Sequence, residues 1–199
     1  MIPNIATKTG DSGTTSLWDG TRVSKTDKRI ACVGALDSFH AALGRARVQL
    51  DPSQPVDEEL LKHFDLLQQR LFSLMGEVAT SNEAKEAFRL NTKNRPLTQA
   101  DEDNLENVYN WLRGVLNARG VTLKQWAVYG AGGIGEAEFD YARAVCRHAE
   151  LALWGLREDG FEIRPELTTF INRFSDVLFL VARHLSREVE IPEKPTAPV

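Results

Sequence analysis

The chain is poor in cysteine and histidine, and it carries no long apolar run. Cys32 and Cys146 form no C-x-x-C pair and have no framework partners. Each reads as a small buried residue, and a reducing compartment is expected. The four histidines, His40, His63, His148 and His184, show no metal-ligand spacing, so the sequence gives no reason to expect zinc. The most apolar run, VLFLVA at Val177–Ala182, is far shorter than the ~20 residues that span a bilayer. MIPNIATKTG at the start has no signal-peptide apolar segment, so the expectation is a cytoplasmic protein without a membrane partner. Positive charge is not in excess either. Lys and Arg number 24 against 28 Asp and Glu, a net charge of −4, which argues against nucleic acid as the main partner. What remains, 199 residues with 42% hydrophobic content, fits one ordinary globular domain.

Chemistry concentrates near the N-terminus, in TKTGDSGTTSLWDGTRVSK at Thr7–Lys25. Thr7, Thr9, Thr14, Thr15, Gly10 and Gly13 surround Asp11, and Lys8, Arg22 and Lys25 add positive charge. Glycine lets backbone N–H groups approach a ligand, and hydroxyl and ammonium groups supply further donors. The stretch therefore reads as a loop for a polyphosphate, with a Gly/Thr-rich hairpin as the plainer alternative. It is not a Walker A loop, because G-x-x-x-x-G-K-[ST] is absent.

The rest reads as helix. Thr26 or Asp27 can cap a first helix over 28–50, with Cys32, Leu36, Phe39, Leu43, Ala46 and Leu50 on one face and Asp37 and His40 off it. A second helix is expected over 56–80, carrying Leu60, Phe64, Leu67, Leu71, Leu74 and Val78. Residues 81–96 are polar without a strong period and read as a loop with at most a short helical turn. Thr98-x-x-Asp101 predicts a capping box for a third helix ending near Ala118. A fourth is expected over 136–157, with Glu136, Glu138 and Asp140 suited to the positive end of its dipole, and a fifth over 166–189. The expected fold is all-α, an antiparallel five-helix bundle. Residues 1–27 form a nucleotide-binding loop of the same domain, 28–189 the bundle and 190–199 a flexible tail.

Gly130-Ala131-Gly132-Gly133-Ile134-Gly135 matches G-x-G-x-x-G, but no βαβ unit surrounds it. These glycines read instead as a flexible or close-approach segment leading into the fourth helix. On that helix Arg143, Arg147 and Glu150 share a face, and Asn172, Arg173 and Asp176 cluster on the fifth. Taken alone, they read as surface ion pairs worth a few tenths of a kcal/mol.

Together with the loop they mean more. T-K-T-G-D-x-G-T-T at Thr7–Thr15, G-x-R-V-x-K-x-D-x-R at Gly20–Arg29, G-x-x-D at Gly34–Asp37, A-R-A-V-C-R-x-A-E at Ala142–Glu150 and N-R-x-S-D-x-L-F at Asn172–Phe179 resemble the PduO-type ATP:cob(I)alamin adenosyltransferases. LQQRLFSLMGEVAT and LTQADEDNLE look like that family's second and third helices.

The resemblance implies a homotrimer with active sites between subunits. It also implies transfer of the 5′-deoxyadenosyl group of ATP to reduced cobalamin, with Mg²⁺, a reductase and an adenosylcobalamin-dependent acceptor enzyme as partners. Thr7, Lys8, Thr9, Gly10, Asp11, Gly13, Thr14 and Thr15 would wrap ATP. Lys25 and Arg147 would hold the triphosphate, Asn172 would touch the nucleotide, and Glu150 would support the arginines. Asp37 and Arg143 would pair across the subunit interface, while Phe72, Trp126 and Ala127 would face the corrinoid. The sequence departs from the family pattern at Ala127, where a phenylalanine is usual, and at His148, Ala31 and His40. A corrinoid carrier or ATP sensor of the same fold is the alternative those departures raise.

Overall fold

The computed structural model describes residues 6, 8–121 and 128–186. A hairpin comes first, strands β1 (Thr14–Ser16) and β2 (Arg22–Ser24), paired antiparallel with Thr15 opposite Val23. Six α-helices follow: α1 (Lys28–Arg47), α2 (Pro55–Val78), α3 (Lys85–Leu90), α4 (Gln99–Ala118), α5 (Ile134–Glu158) and α6 (Pro165–Leu185). Five are long and fall where the apolar periodicity places them. The short α3, flanked by 3₁₀ turns at Asn82–Ala84 and Thr92–Asn94, occupies the stretch read as a loop.

Local chemistry sets the helix ends. Of the two capping choices for α1, Asp27 is used: its carboxylate accepts from the Arg29 N–H at 2.8 Å. At α4 the Asp101 carboxylate accepts from the Thr98 N–H at 2.9 Å and its hydroxyl at 3.0 Å, so the predicted capping box forms. Proline opens α2 and α6, where a missing N–H costs nothing. Gly133 precedes α5 with φ 111°, a conformation that favours glycine. The neighbouring Gly132 has a different reason. A Cβ there would lie 2.7 Å from the Ser186 Cα, so glycine permits the end of α6 to close on the entry to α5. This is the close-approach role expected of the glycine run.

Ion pairs at the two ends show the helix directions. Lys28 at the start of α1 meets Asp159 just past α5 at 2.7 Å, and Arg45 near the end of α1 meets Glu138 near the start of α5 at 2.5 Å. The two helices are therefore antiparallel. Their core is aromatic at the centre: Phe64 of α2 stacks on Phe139 of α5 and Phe174 of α6, and Phe39 of α1 meets Phe174 edge-on at 5.2 Å between centroids. All four rings are buried, and each such burial stabilises by about 1.5–3 kcal/mol. Glu136 and Asp140, assigned from sequence to the helix dipole, are buried partners of Arg183.

The hairpin docks on one end of this framework. Leu17 is buried, the Trp18 N–H donates to the Ala79 carbonyl at 2.8 Å, and the Trp18 ring meets Phe88 edge-on at 5.1 Å. Asp19 accepts from the Ser81 hydroxyl at 2.9 Å. Hydrogen bonds, that from Thr21 first, hold its carboxyl below the usual range. No helix of the described residues is long and apolar enough to cross a membrane.

Candidate functional site

The N-terminal stretch is both a hairpin and a polar loop, and Arg22 knits it together. Its guanidinium donates to the Thr9 carbonyl at 3.0 Å, to the Ser16 hydroxyl at 3.2 Å and to the Thr14 hydroxyl. Charge read from sequence as available to an anion is spent here on holding the loop. The backbone turns back at Gly13 with φ 80°, and the Lys25 N–H closes onto the Gly13 carbonyl at 2.9 Å. Lys25 then lays its side chain over Gly10, where a Cβ would stand 3.1 Å from Nζ. Glycine at position 10 thus makes room for an ammonium group beside exposed backbone. The Lys25 ammonium is exposed, and no hydrogen bond or ion pair engages it among the described residues. Thr7 lies outside them.

The second group stands on α5 and α6. The Asn172 side-chain amide donates to Glu150 at 2.9 Å, joining two residues that the sequence singled out separately. Arg147, one turn before Glu150, is exposed, and no hydrogen bond or ion pair holds it among the described residues. Arg173 pairs with Asp176 at 3.0 Å and with Glu106 of α4 at 2.9 Å. Burial, reinforced by Glu150, raises the Asp176 carboxyl, while Arg173 and Arg147 oppose it. Cys146 is buried beneath this face, its thiol pushed well up by burial, and it donates to the Ile171 carbonyl. It is a core residue rather than a nucleophile.

Arg143 is held within the chain by the Tyr129 hydroxyl at 2.9 Å and by Asp140 at 3.4 Å. Sequence reasoning missed Tyr129, whose only signal was its place beside the glycine run. Asp37 is exposed on α1 and pairs with nothing within the described chain. Its near neighbour His40, whose pKa burial lowers, stands edge-on to Phe72 of α2 at 4.5 Å. Phe72 is 60% exposed. Trp126 and Ala127 lie outside the described residues.

One chain leaves these groups apart. Lys25 precedes α1 at the Asp159 end of α5, whereas Arg147 lies about 18 Å down α5 from Asp159 at 1.5 Å per residue. Asp37 sits midway along α1, level with the Arg147 region of antiparallel α5. The described surface of α5 also exposes Tyr141, Leu151 and Trp154 alongside Arg147 and His148. No three His, Cys, Asp or Glu side chains converge to hold a metal among the described residues.

Comparison with known proteins gives this arrangement its setting. A cobalamin adenosyltransferase of Cupriavidus metallidurans is 33% identical over 94% of this chain and 90% of its own length. The corrinoid adenosyltransferase PduO of Salmonella typhimurium is 33% identical over 90% of this chain and 48% of its own length. The fold matches that of a variant PduO-type ATP:corrinoid adenosyltransferase from Lactobacillus reuteri, solved with cobalamin and ATP. Its TM-score is 0.76 at 24% identity, covering 91% of this chain and 92% of that one. The family model for cobalamin adenosyltransferases matches residues 5–185, and this chain belongs to that family.

Proposed function

We propose that the protein transfers the 5′-deoxyadenosyl group of ATP to the cobalt of reduced cobalamin, giving adenosylcobalamin and triphosphate. The family match supports the reaction. The observation that carries the site is a pair of unengaged cations, Lys25 over Gly10 and Arg147 beside the Glu150–Asn172 bond.

The chemistry asks little of the protein by way of acid or base. The cobalt(I) electron pair attacks C5′, the Co–C bond forms, and the C5′–O bond breaks with its electrons leaving on triphosphate. Cobalt rises formally from +1 to +3. No proton need move, but negative charge grows on the leaving group, and preorganised Lys and Arg stabilise it. The loop of residues 7–15 would fix the nucleotide so that C5′ lies in line with the cobalt. Mg²⁺ would be carried by phosphate oxygens and water, since the described side chains build no cage for it.

The site is completed, in this reading, by a second copy of the chain within a trimer. The distance between Lys25 and Arg147 along the fold supports it, as do the unpaired Asp37 and the spare N–H groups of Arg143. The exposed Tyr141, Leu151 and Trp154 supply apolar area for the contact. Phe72, with Trp126 and Ala127, would face the corrinoid, where apolar side chains fill the space left by its lower axial ligand and exclude water. The free, buried Cys32 and Cys146 support a cytoplasmic location, where a reductase would supply cobalt(I) and an adenosylcobalamin-dependent enzyme take the product.

The test is anaerobic adenosylation with Mg-ATP and chemically reduced cob(I)alamin, followed by absorbance. Protein-dependent formation of adenosylcobalamin is expected. ATP binding with no product would replace this reading with that of a carrier or sensor.

A further inference from the structure

A cavity of about 330 Å³ lies between the hairpin, α2 and the turn after α3. Its walls are Trp18, Phe72 and Phe88, and its cations are Lys93 and Arg95, with Asn94 between them. Trp18 is 44% exposed and Phe72 60%, so two aromatic faces are open to a ligand, while Phe88 forms a buried floor. Gly76 permits that floor, because a Cβ there would meet the Phe88 ring at 3.1 Å. Both cations are exposed, and neither has a side-chain hydrogen bond or ion pair among the described residues. No acidic residue lines the cavity. Arg95 is also one of two non-glycine residues with positive φ among those described, at 46°, a conformation that costs energy unless its surroundings enforce it.

Open aromatic faces take a flat ring by stacking, and uncompensated cations take a phosphate. The volume stands at the lower end of the range for small-molecule sites, enough for one ring system and its phosphate. We propose that this cavity binds an aromatic base carrying a phosphate. Two sources offer that chemistry: the benzimidazole ribonucleotide tail of cobalamin itself, and a free adenine nucleotide. The tail source rests on the transferase reading above. Position favours it. Phe72 touches His40, and His40 feels the charge of Asp37, so the cavity borders the α1 face on which the proposed intersubunit site lies. A corrinoid that gives up its lower ligand there must put a base and a phosphodiester somewhere, and this cavity complements both.

The experiment has a binding arm and a kinetic arm. Equilibrium dialysis of the full chain with 5,6-dimethylbenzimidazole ribonucleotide and, separately, AMP is expected to show saturable binding of at least one. The double variant Lys93→Ala/Arg95→Ala should weaken that binding about tenfold or more with an unchanged melting temperature. This arm needs no turnover, so it stands or falls independently of the transferase reading. Absence of binding by both probes up to millimolar concentration, or equal affinity in the double variant, overturns the proposal. The kinetic arm compares cobalamin with cobinamide, which lacks the tail. A KM raised for cobalamin alone assigns the cavity to the tail, whereas unchanged KM values with lost AMP binding assign it to a free nucleotide.

Discussion

Glu77 and Arg164 form a two-pronged ion pair: Nε reaches Oε1 at 2.7 Å and NH2 reaches Oε2 at 2.8 Å. The pair ties the last turn of α2 to the residue that caps α6, and Arg164 also donates to the Leu97 carbonyl before α4. Glu77 is 1% exposed, so its carboxylate has exchanged water for this partner. Replacing Arg164 with alanine would leave a buried charge unpaired. Destabilisation of about 3–5 kcal/mol is expected, read as a lower urea midpoint. A loss under 1 kcal/mol would show that water replaces the guanidinium.

Arg147 is where function and stability should separate most cleanly. The side chain is exposed and makes no bond within the described chain, so Arg147→Ala should keep the wild-type melting temperature. Turnover should fall by about 10²–10³, the usual cost of removing one donor that stabilises developing charge. Near-normal turnover would remove Arg147 from the leaving-group role.

Asp37 and Arg143 test the assembly. Asp37→Arg or Arg143→Asp alone should reduce the light-scattering mass by placing like charges together, and the double exchange should recover it. Assembly unchanged in both single variants would sink the pairing.

Lys85 gives the fold a pH dependence. Burial lowers its pKa from 10.5 to about 8, with Glu77 opposing the shift and Arg29 assisting it. Below pH 8 the ammonium is present folded and unfolded alike. Between 8 and 10.5 the unfolded chain keeps a proton that the folded chain has released, so Lys85 makes stability rise with pH across that window. Urea midpoints from pH 7.5 to 10.5 should show this component in wild type and lose it in Lys85→Met. Parallel curves for the two proteins would contradict it.

The 81–96 stretch shows where sequence reading stops. Its polarity marks a loop, yet Lys85 and Phe88 are buried there, and Lys85 donates to the Glu77 carbonyl. Phe88 is covered by Trp18 of the hairpin, 70 residues earlier in the chain. Arg22 likewise reads as an anion-binding charge until the fold curls Thr9 and Thr14 around it.

The sequence by itself determined the five long helices, the Asp101 capping box and the residue types of the candidate site. Those signals are local: apolar side chains recur every 3.6 residues, and a cap needs only its own first turn. Tertiary structure decided which cations remain unengaged, which acid each arginine meets, and that a cavity opens beside Phe72. Such pairings join residues scores of positions apart. They exist only once the helices have packed, because burial sets both the distance between charges and the cost of leaving one alone.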